Sequence, residues 1–276
     1  MRNAWQRLGM IRGCNRRPRD KPSAMSSSVI NRIQSRYRRD VSRNCGRRMV
    51  ELRPKTPMVS FTFDDFPRSA LHQGGAILKR HGFLGTYYVA LGLMDTDIPA
   101  GRAFSEADLR QTIADGHELG CHTYAHCHAW ETKPEVFEQS IVENERALAK
   151  LAPGAKLKSL SYPIDWPRPQ TKRRAEKHFP CCRGGGLSFN LGATDANNLQ
   201  ATFLEKHRDH PETMLRLIEE NSRAGGWLIF ATHDVCSNPT PFGCTPELFE
   251  TVVRAVHKSG ARVLPVAAAW NEARSS

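Results

Sequence analysis

Two short segments of the chain carry side chains that can hold and use a metal ion. Asp64 and Asp65 follow an apolar run typical of a buried strand, so the sequence delivers two carboxylates at a strand end. His122 and His126 are four residues apart, a spacing at which one helical turn points both imidazoles the same way. One carboxylate and two imidazoles leave positions open around a metal, which is typical of a catalytic site.

The general base must come from outside the histidine segment. In the His-Glu-x-x-His zinc proteases, the base lies between the two metal-binding histidines. Here the intervening residues are Thr123, Tyr124 and Ala125, none of which acts as a base near neutral pH. The carboxylate that does not bind the metal, Asp64, is therefore the candidate base for water.

Each of these residue types also has a purely structural explanation. A pair of Asp residues after a strand is common in turns, and two histidines four apart often occur by chance. The metal site is favoured because four groups occur together, namely Asp65, His122, His126 and, farther along the chain, His233.

After residue 57, strand-like runs alternate with helical patterns through the rest of the chain. The runs cover residues 58–63, 84–90, 118–122, 157–162, 199–204, 227–233 and 262–266. This alternation predicts a mostly parallel sheet with helices outside it, and about seven units in roughly 215 residues favour a barrel. Chemistry in such barrels lies at the carboxyl ends of the strands, and the sequence places five candidate groups there: Asp64, Asp65, His122, Tyr162 and His233.

The basic charge of the chain is confined to its first part. Residues 1–56 hold 16 Lys and Arg against 3 Asp and Glu, whereas the rest of the chain holds 24 against 25. The main domain is therefore not expected to bind nucleic acid. The basic leader could be a disordered arm that touches anionic surfaces, a helical appendage over 29–39, or an over-called start with translation from Met25 or Met49.

The sequence also bears on where the protein works. It contains no apolar run of the kind found in a secretory signal and no segment long enough to span a membrane. The eight cysteines do not repeat like a disulfide framework, so free thiols are expected. These features favour a cytoplasmic location and leave association with the cell envelope open.

Four segments together resemble the polysaccharide deacetylase family, also called the NodB homology or carbohydrate esterase 4 group. They are TFDD at 62–65, HTYAH at 122–126, SYP at 161–163 and THD at 232–234. The resemblance divides the chain into a basic leader at 1–56 and a NodB-like domain at 57–272. It implies an α/β fold, a distorted and incomplete (β/α) barrel of the NodB type with about seven strands.

The resemblance also implies a role for each residue of the constellation. Asp65, His122 and His126 would hold one divalent metal, expected to be Zn²⁺, and Asp64 would be the general base. The backbone N–H of Tyr162 would stabilise the oxyanion.

The resemblance further implies a general acid, a replacement for a missing arginine and two residues of the substrate pocket. His233 would protonate the leaving group as general acid. The family's Arg near the SYP segment is missing, and Arg183 is the candidate replacement. Trp166 and Asn190 are expected to line the substrate pocket.

The residue that orients the acid histidine is also not evident from the family pattern. Asp195 and Asp234 are the two candidates for that position.

The implied function is metal-dependent removal of acetyl groups, foremost N-acetyl groups of amino sugars, from an oligo- or polysaccharide. One alternative is hydrolysis of a small cyclic imide or ureide on the same scaffold. A second alternative is a carbohydrate-binding module without turnover, which the intact set of candidate acid, base and ligands disfavours.

Overall fold

The computed structural model describes residues 24–164 and 166–274, with side chains described from residue 30 onward. Most of the described strands join one parallel sheet, whose order is β10-β11-β2-β3-β6-β7-β8, with β12 beside the start of β2. The strands are β1 (Met49–Leu52), β2 (Met58–Phe63), β3 (Thr86–Val89), β4 (Asp97–Ile98), β5 (Gly101–Arg102), β6 (Glu118–Cys121), β7 (Leu160–Ser161), β8 (Cys182–Arg183), β9 (Gly192–Asp195), β10 (Thr202–Phe203), β11 (Trp227–Thr232) and β12 (Arg262–Val263).

Helices cover the outside of this curled sheet. They are α1 (Ala24–Asn44), α2 (Ala76–Arg80, preceded by the π-helical Ala70–Gly75), α3 (Glu106–Ala114), α4 (Pro134–Leu151), α5 (Pro169–Ala175), α6 (Glu212–Ala224), α7 (Pro246–Ser259) and α8 (Val266–Arg274). Local sequence signals set several of the boundaries. Ser105 and Asp108 form a reciprocal capping box at the start of α3, and Gly260 ends α7 at a φ of +72°.

The two central strands explain why the site lies where it does. Every residue of β2 and β11 is buried, and their parallel ladder runs from Met58 beside Trp227 to Phe63 beside Thr232. Continuous apolar runs of this kind are typical of strands covered on both faces. Because the two strands end in register, the residues that follow them emerge side by side at one edge of the sheet.

The curled parallel sheet with helices outside it forms an incomplete barrel, which confirms the fold class expected from the sequence. The prediction of individual strands was less complete, because β8 (Cys182–Arg183) was not among the predicted runs. This two-residue strand lies at the end of the sheet and pairs with β7 through Leu160 and Ser161. A run so short carries no recognisable alternation of its own, and its position depends on the strand beside it.

Part of the basic leader belongs to the folded structure. Residues 24–44 form α1, and β1 pairs antiparallel with β9. Lys172, which is fully buried, donates to the carbonyls of Ser42 at 2.8 Å and Cys45 at 3.0 Å. A disordered arm therefore does not describe residues 24–56. The expectations for residues 1–23 lie outside the described residues, and the division at residue 56 stays a prediction.

Two further observations bear on the expectations for the leader and the cysteines. Among the described residues, no helix combines the length and apolar character needed to cross a membrane. The seven described cysteines are all free thiols.

Candidate active site

The chain turns sharply at the end of β2 and carries two carboxylates into the interior. The N–H of Asp64 donates to the Thr232 carbonyl at 2.9 Å, which continues the β2–β11 ladder by one residue. Asp65 and Phe66 then adopt φ values of +59° and +47°. Such angles are uncommon outside glycine and tend to persist where the surroundings enforce them, often at functional sites. Here the fully buried Phe66 ring packs 4.8 Å from Phe104 and fixes the turn.

The two histidines converge without a helix, which corrects the helical-turn expectation for 122–126. His122 directly follows β6, and the chain then passes through left-handed φ values at Thr123 (+56°) and His126 (+49°). The turn is held by the N–H of Tyr124, which donates to the Ser140 carbonyl at 2.9 Å. The spacing of four residues thus brings the imidazoles together through an irregular turn.

Asp65, His122 and His126 form a compact buried cluster. Nε2 of His126 lies 2.9 Å and Nε2 of His122 lies 3.3 Å from Oδ1 of Asp65. His122 Nδ1 donates to the Ser161 carbonyl at 2.8 Å, which leaves Nε2 directed at the carboxylate. One potential ligand atom from each of the three residues lies within 4.8 Å of those of the other two.

The chemistry of this cluster fits a divalent cation. Asp65 is fully buried, and apart from the neighbouring imidazoles its oxygens have no hydrogen-bond donor among the described residues. Burial raises the pKa of Asp65, but the neighbouring His126 and His122 outweigh it and hold the pKa well below its ordinary value. An ionised carboxylate whose only close polar neighbours among the described residues are imidazole nitrogens is a donor set that Zn²⁺ and related metals prefer.

The second carboxylate, Asp64, is held by a buried arginine. Nη2 of Arg183 contacts both oxygens of Asp64, at 2.5 Å for Oδ2, and Arg183 is 1% exposed. The guanidinium lies 5.1 Å from the Tyr88 ring and 5.3 Å from the Phe203 ring. Burial raises the pKa of Asp64, but the charge of Arg183, followed by those of two histidines, lowers it overall. Asp64 therefore stays ionised, as a base must.

His233 follows β11 and completes the group. Its Nδ1 donates to the Phe242 carbonyl at 3.1 Å, and its Nε2 lies 3.8 Å from Oδ2 of Asp65. Burial lowers the pKa of His233, but the carboxylates of Asp65, Asp64 and Glu205 raise it above its ordinary value. The imidazole is thus able to carry a proton beside an ionised base.

Comparison with known proteins agrees with this geometry. Residues 51–178 match the family model described as polysaccharide deacetylase. This segment of the chain is therefore similar to the polysaccharide deacetylase family. No curated protein sequence matches the chain.

Three solved structures have a fold similar to this chain over more residues than the matched segment. A Xyl-CE4 domain of a multidomain xylanase from the Trinervitermes trinervoides hindgut metagenome is 14% identical, with a TM-score of 0.57 over 79% of this chain and 91% of that one. The chitin deacetylase of Colletotrichum lindemuthianum is 19% identical (TM-score 0.56; 79% and 89% covered). A family 4 acetyl xylan esterase from Clostridium thermocellum, solved with a cobalt ion, is also 19% identical (0.52; 78% and 90%).

Neither acidic candidate for orienting His233 does so. Asp195 accepts from Lys172 Nζ at 2.7 Å and from the N–H of Arg48 at 2.9 Å. Asp234 instead accepts from the N–H of Thr240 at 2.8 Å and from its hydroxyl at 2.5 Å. The Phe242 carbonyl orients the imidazole, and Asp234 contributes by shaping the loop that carries that carbonyl.

Two of the groups expected to bind substrate form hydrogen bonds within the protein. The N–H of Tyr162, expected at the oxyanion, donates to the Arg183 carbonyl at 3.1 Å. The Asn190 amide donates to the carbonyls of Gln200 at 3.0 Å and Trp227 at 3.2 Å, and its oxygen accepts from the Gln200 N–H at 2.9 Å. Asn190 therefore ties two segments together, and its place in the substrate pocket stays a prediction.

Glu205 is a member of the site that the sequence did not indicate. It lies in the 3₁₀ turn Leu204–His207, and its Oε2 is buried without a hydrogen-bond partner among the described residues. Burial raises its pKa to about 7, against the opposing charge of His233. In the sequence Glu205 stands in a charged run with Lys206, His207 and Arg208, which is typical of an exposed turn.

Proposed function

We propose that the protein is a metal-dependent hydrolase that removes acetyl groups, foremost N-acetyl groups of amino sugars, from an oligo- or polysaccharide. The observation that carries the proposal is the buried carboxylate of Asp65, which lies close to the Nε2 atoms of His122 and His126 and has Asp64 and His233 beside it. The match of residues 51–178 to the polysaccharide deacetylase family model supports the reaction class. The chitin deacetylase among the similar structures supports a sugar substrate.

Asp65, His122 and His126 are the residues that would hold the cation, for which Zn²⁺ is our first choice. When bound, a divalent cation supplies Lewis acidity to the acetyl carbonyl and to the attacking water. The hydrogen bond from His122 Nδ1 to the Ser161 carbonyl fixes the tautomer that a ligand at Nε2 requires.

The proton transfers are assigned to the two groups beside the cluster. Asp64, kept ionised by Arg183, accepts the proton of the water that attacks the acetyl carbonyl carbon. His233, whose pKa is raised, donates a proton to the departing amine as the C–N bond breaks. The products are acetate and a free amino sugar, so the proton count balances across the two residues.

The test is acetate release from N-acetylglucosamine oligomers and O-acetylated sugars, with added Zn²⁺ or Co²⁺ and with chelator. We expect release that requires metal. Asp64→Asn should lose at least a hundredfold in kcat, because general-base catalysis typically contributes ~10²–10⁴-fold. The variant should still bind Zn²⁺ by calorimetry.

Other outcomes would redirect the assignment. Substantial activity of Asp64→Asn would refute its role as base. Stoichiometric metal binding without acetate release from any sugar would favour a small imide or ureide substrate. Neither metal binding nor release would favour a carbohydrate-binding module without turnover.

A further inference from the structure

Two cations lie on aromatic rings beside the candidate site. The guanidinium of Arg43, near the end of α1, lies 5.2 Å from the centre of the Trp166 ring. Nζ of Lys206 lies 4.6 Å from the centre of the Phe203 ring. Both pairs have the geometry of cation–π contacts, and both rings are partly exposed.

The two pairs are neighbours, and they reach the candidate acid. A Cβ added at Gly185 would lie 3.3 Å from the Phe203 ring and 3.9 Å from the Trp166 ring, so the glycine lies between them. The Phe203 ring stacks on His233 at 6.3 Å. The cationic rim, defined as Arg43, Trp166, Gly185, Phe203 and Lys206, is thus continuous with the imidazole that faces the metal cluster.

The charges of the cationic rim are available to a ligand. Arg43 and Lys206 are exposed, and neither forms an ion pair within residues 24–164 and 166–274. The nearby carboxyl of Glu205 has its Oε2 buried, and its pKa is raised to about 7. The rim therefore presents two exposed cations beside aromatic surface.

We propose that the cationic rim binds an acetylated glycan that carries carboxylate groups, a substrate class that rests on the proposed deacetylase function. Partly exposed aromatic surface suits the apolar faces of sugar rings, while a few well-placed polar groups confer specificity. Guanidinium and ammonium groups pair with carboxylates, and the attraction steers charged ligands to the site. A neutral chitin-like oligomer leaves both cations without a partner.

The experiment compares the neutral N-acetylglucosamine tetramer with its 6-O-carboxymethyl derivative, which keeps the same acetyl linkage. Binding to the metal-free protein is measured by calorimetry, and kcat/KM for acetate release is measured with Zn²⁺. We expect at least tenfold tighter binding and a higher kcat/KM for the carboxymethyl tetramer at low salt. The preference should shrink in 0.5 M NaCl, because exposed charges are screened.

Variants locate the preference within the molecule. Arg43→Gln and Lys206→Gln should each reduce the preference about threefold to fivefold, the upper part of the range measured for exposed ion pairs. Arg36→Gln on the same helix and Lys258→Gln on α7 are exposed matched controls and should retain it.

The binding arm separates this inference from the proposed function. Equal affinity for the two tetramers, or a preference insensitive to both Arg43 and Lys206, overturns the inference. If the carboxymethyl tetramer binds more tightly through these residues but no acetate is released, the rim stands and the proposed reaction fails.

Discussion

Arg183 and Asp64 form a buried ion pair in which one guanidinium nitrogen contacts both carboxylate oxygens. Both side chains are almost fully inaccessible to solvent. Removing one partner from such a pair leaves an uncompensated charge in the interior, which typically costs ~3–5 kcal/mol. Arg183→Met is therefore expected to lower the free energy of unfolding by about that amount, as measured by urea denaturation.

A double variant distinguishes the lost pair from the lost volume. Arg183→Met combined with Asp64→Asn removes the unpaired charge and should be more stable than Arg183→Met alone. If the double variant is no more stable than that single variant, the ion pair is not what the arginine contributes. The cation–π contacts with Tyr88 and Phe203 would then account for the loss.

Metal binding should raise the melting temperature of the protein. Binding only to the folded state stabilises it by about 2.7 kcal/mol at a ligand concentration of 100 Kd. His126→Ala removes a nitrogen 2.9 Å from Asp65 Oδ1 and should abolish most of the shift seen with Zn²⁺. His210→Ala, at a largely exposed histidine, is the matched control and should keep it. An equal shift in His126→Ala and wild type would exclude the assigned cluster.

The sequence predicts the parts of the site that local pattern controls. Apolar runs locate β2 and β11, and residues just after a strand end must emerge at the same edge of a parallel sheet. This reasoning predicts from the sequence alone that Asp64, Asp65 and His233 lie close together. It also brings His122 there, because β6 belongs to the same sheet.

The parts that sequence did not predict depend on contacts distant in the chain. The hydrogen-bond partner of His233 is the carbonyl of Phe242. Every residue has a backbone carbonyl, so no sequence pattern predicts which one accepts this bond. The burial of Glu205 is likewise decided by how the 3₁₀ turn packs. The N–H of Tyr162 is taken by the Arg183 carbonyl only because the unpredicted strand β8 lies beside β7.

Deleting residues 1–48 should destabilise the domain, contrary to what a dispensable leader predicts. Lys172 is fully buried, and the deletion removes the carbonyls of Ser42 and Cys45 and leaves only Asp195 of its three hydrogen-bond partners. A buried ammonium that loses two of its three acceptors is costly. We expect a loss of several kcal/mol in the free energy of unfolding.

Combining the deletion with Lys172→Met tests the cause. The methionine removes the positive charge, and Asp195→Asn removes the negative charge that paired with it. The truncated protein with both substitutions should therefore be more stable than the truncated protein with neither. A truncated protein that melts at the same temperature as the full chain would show that α1 and the segment after it contribute little to the fold.

The buried carboxyl of Glu118 should make the stability fall as the pH rises. Its oxygens accept from the Ser159 hydroxyl at 2.9 Å and the Ala267 N–H at 2.8 Å, and burial raises its pKa from 4.5 to about 7. Between these values the folded state holds a proton that the unfolded chain has released. The free energy of unfolding therefore decreases from pH 4.5 to about 7, by on the order of 3 kcal/mol from this group.

Glu118→Gln isolates this contribution, because an amide can keep the contacts with Ser159 and Ala267 without ionising. Urea denaturation of both proteins from pH 4.5 to 8 gives a difference curve in which titrations of the other groups cancel. The variant should gain stability relative to wild type as the pH rises, and the gain should level off above pH about 7, where Glu118 is ionised in both states of the wild type. A flat difference curve would mean that Glu118 titrates alike in the folded and unfolded chain, and that its burial does not set its pKa.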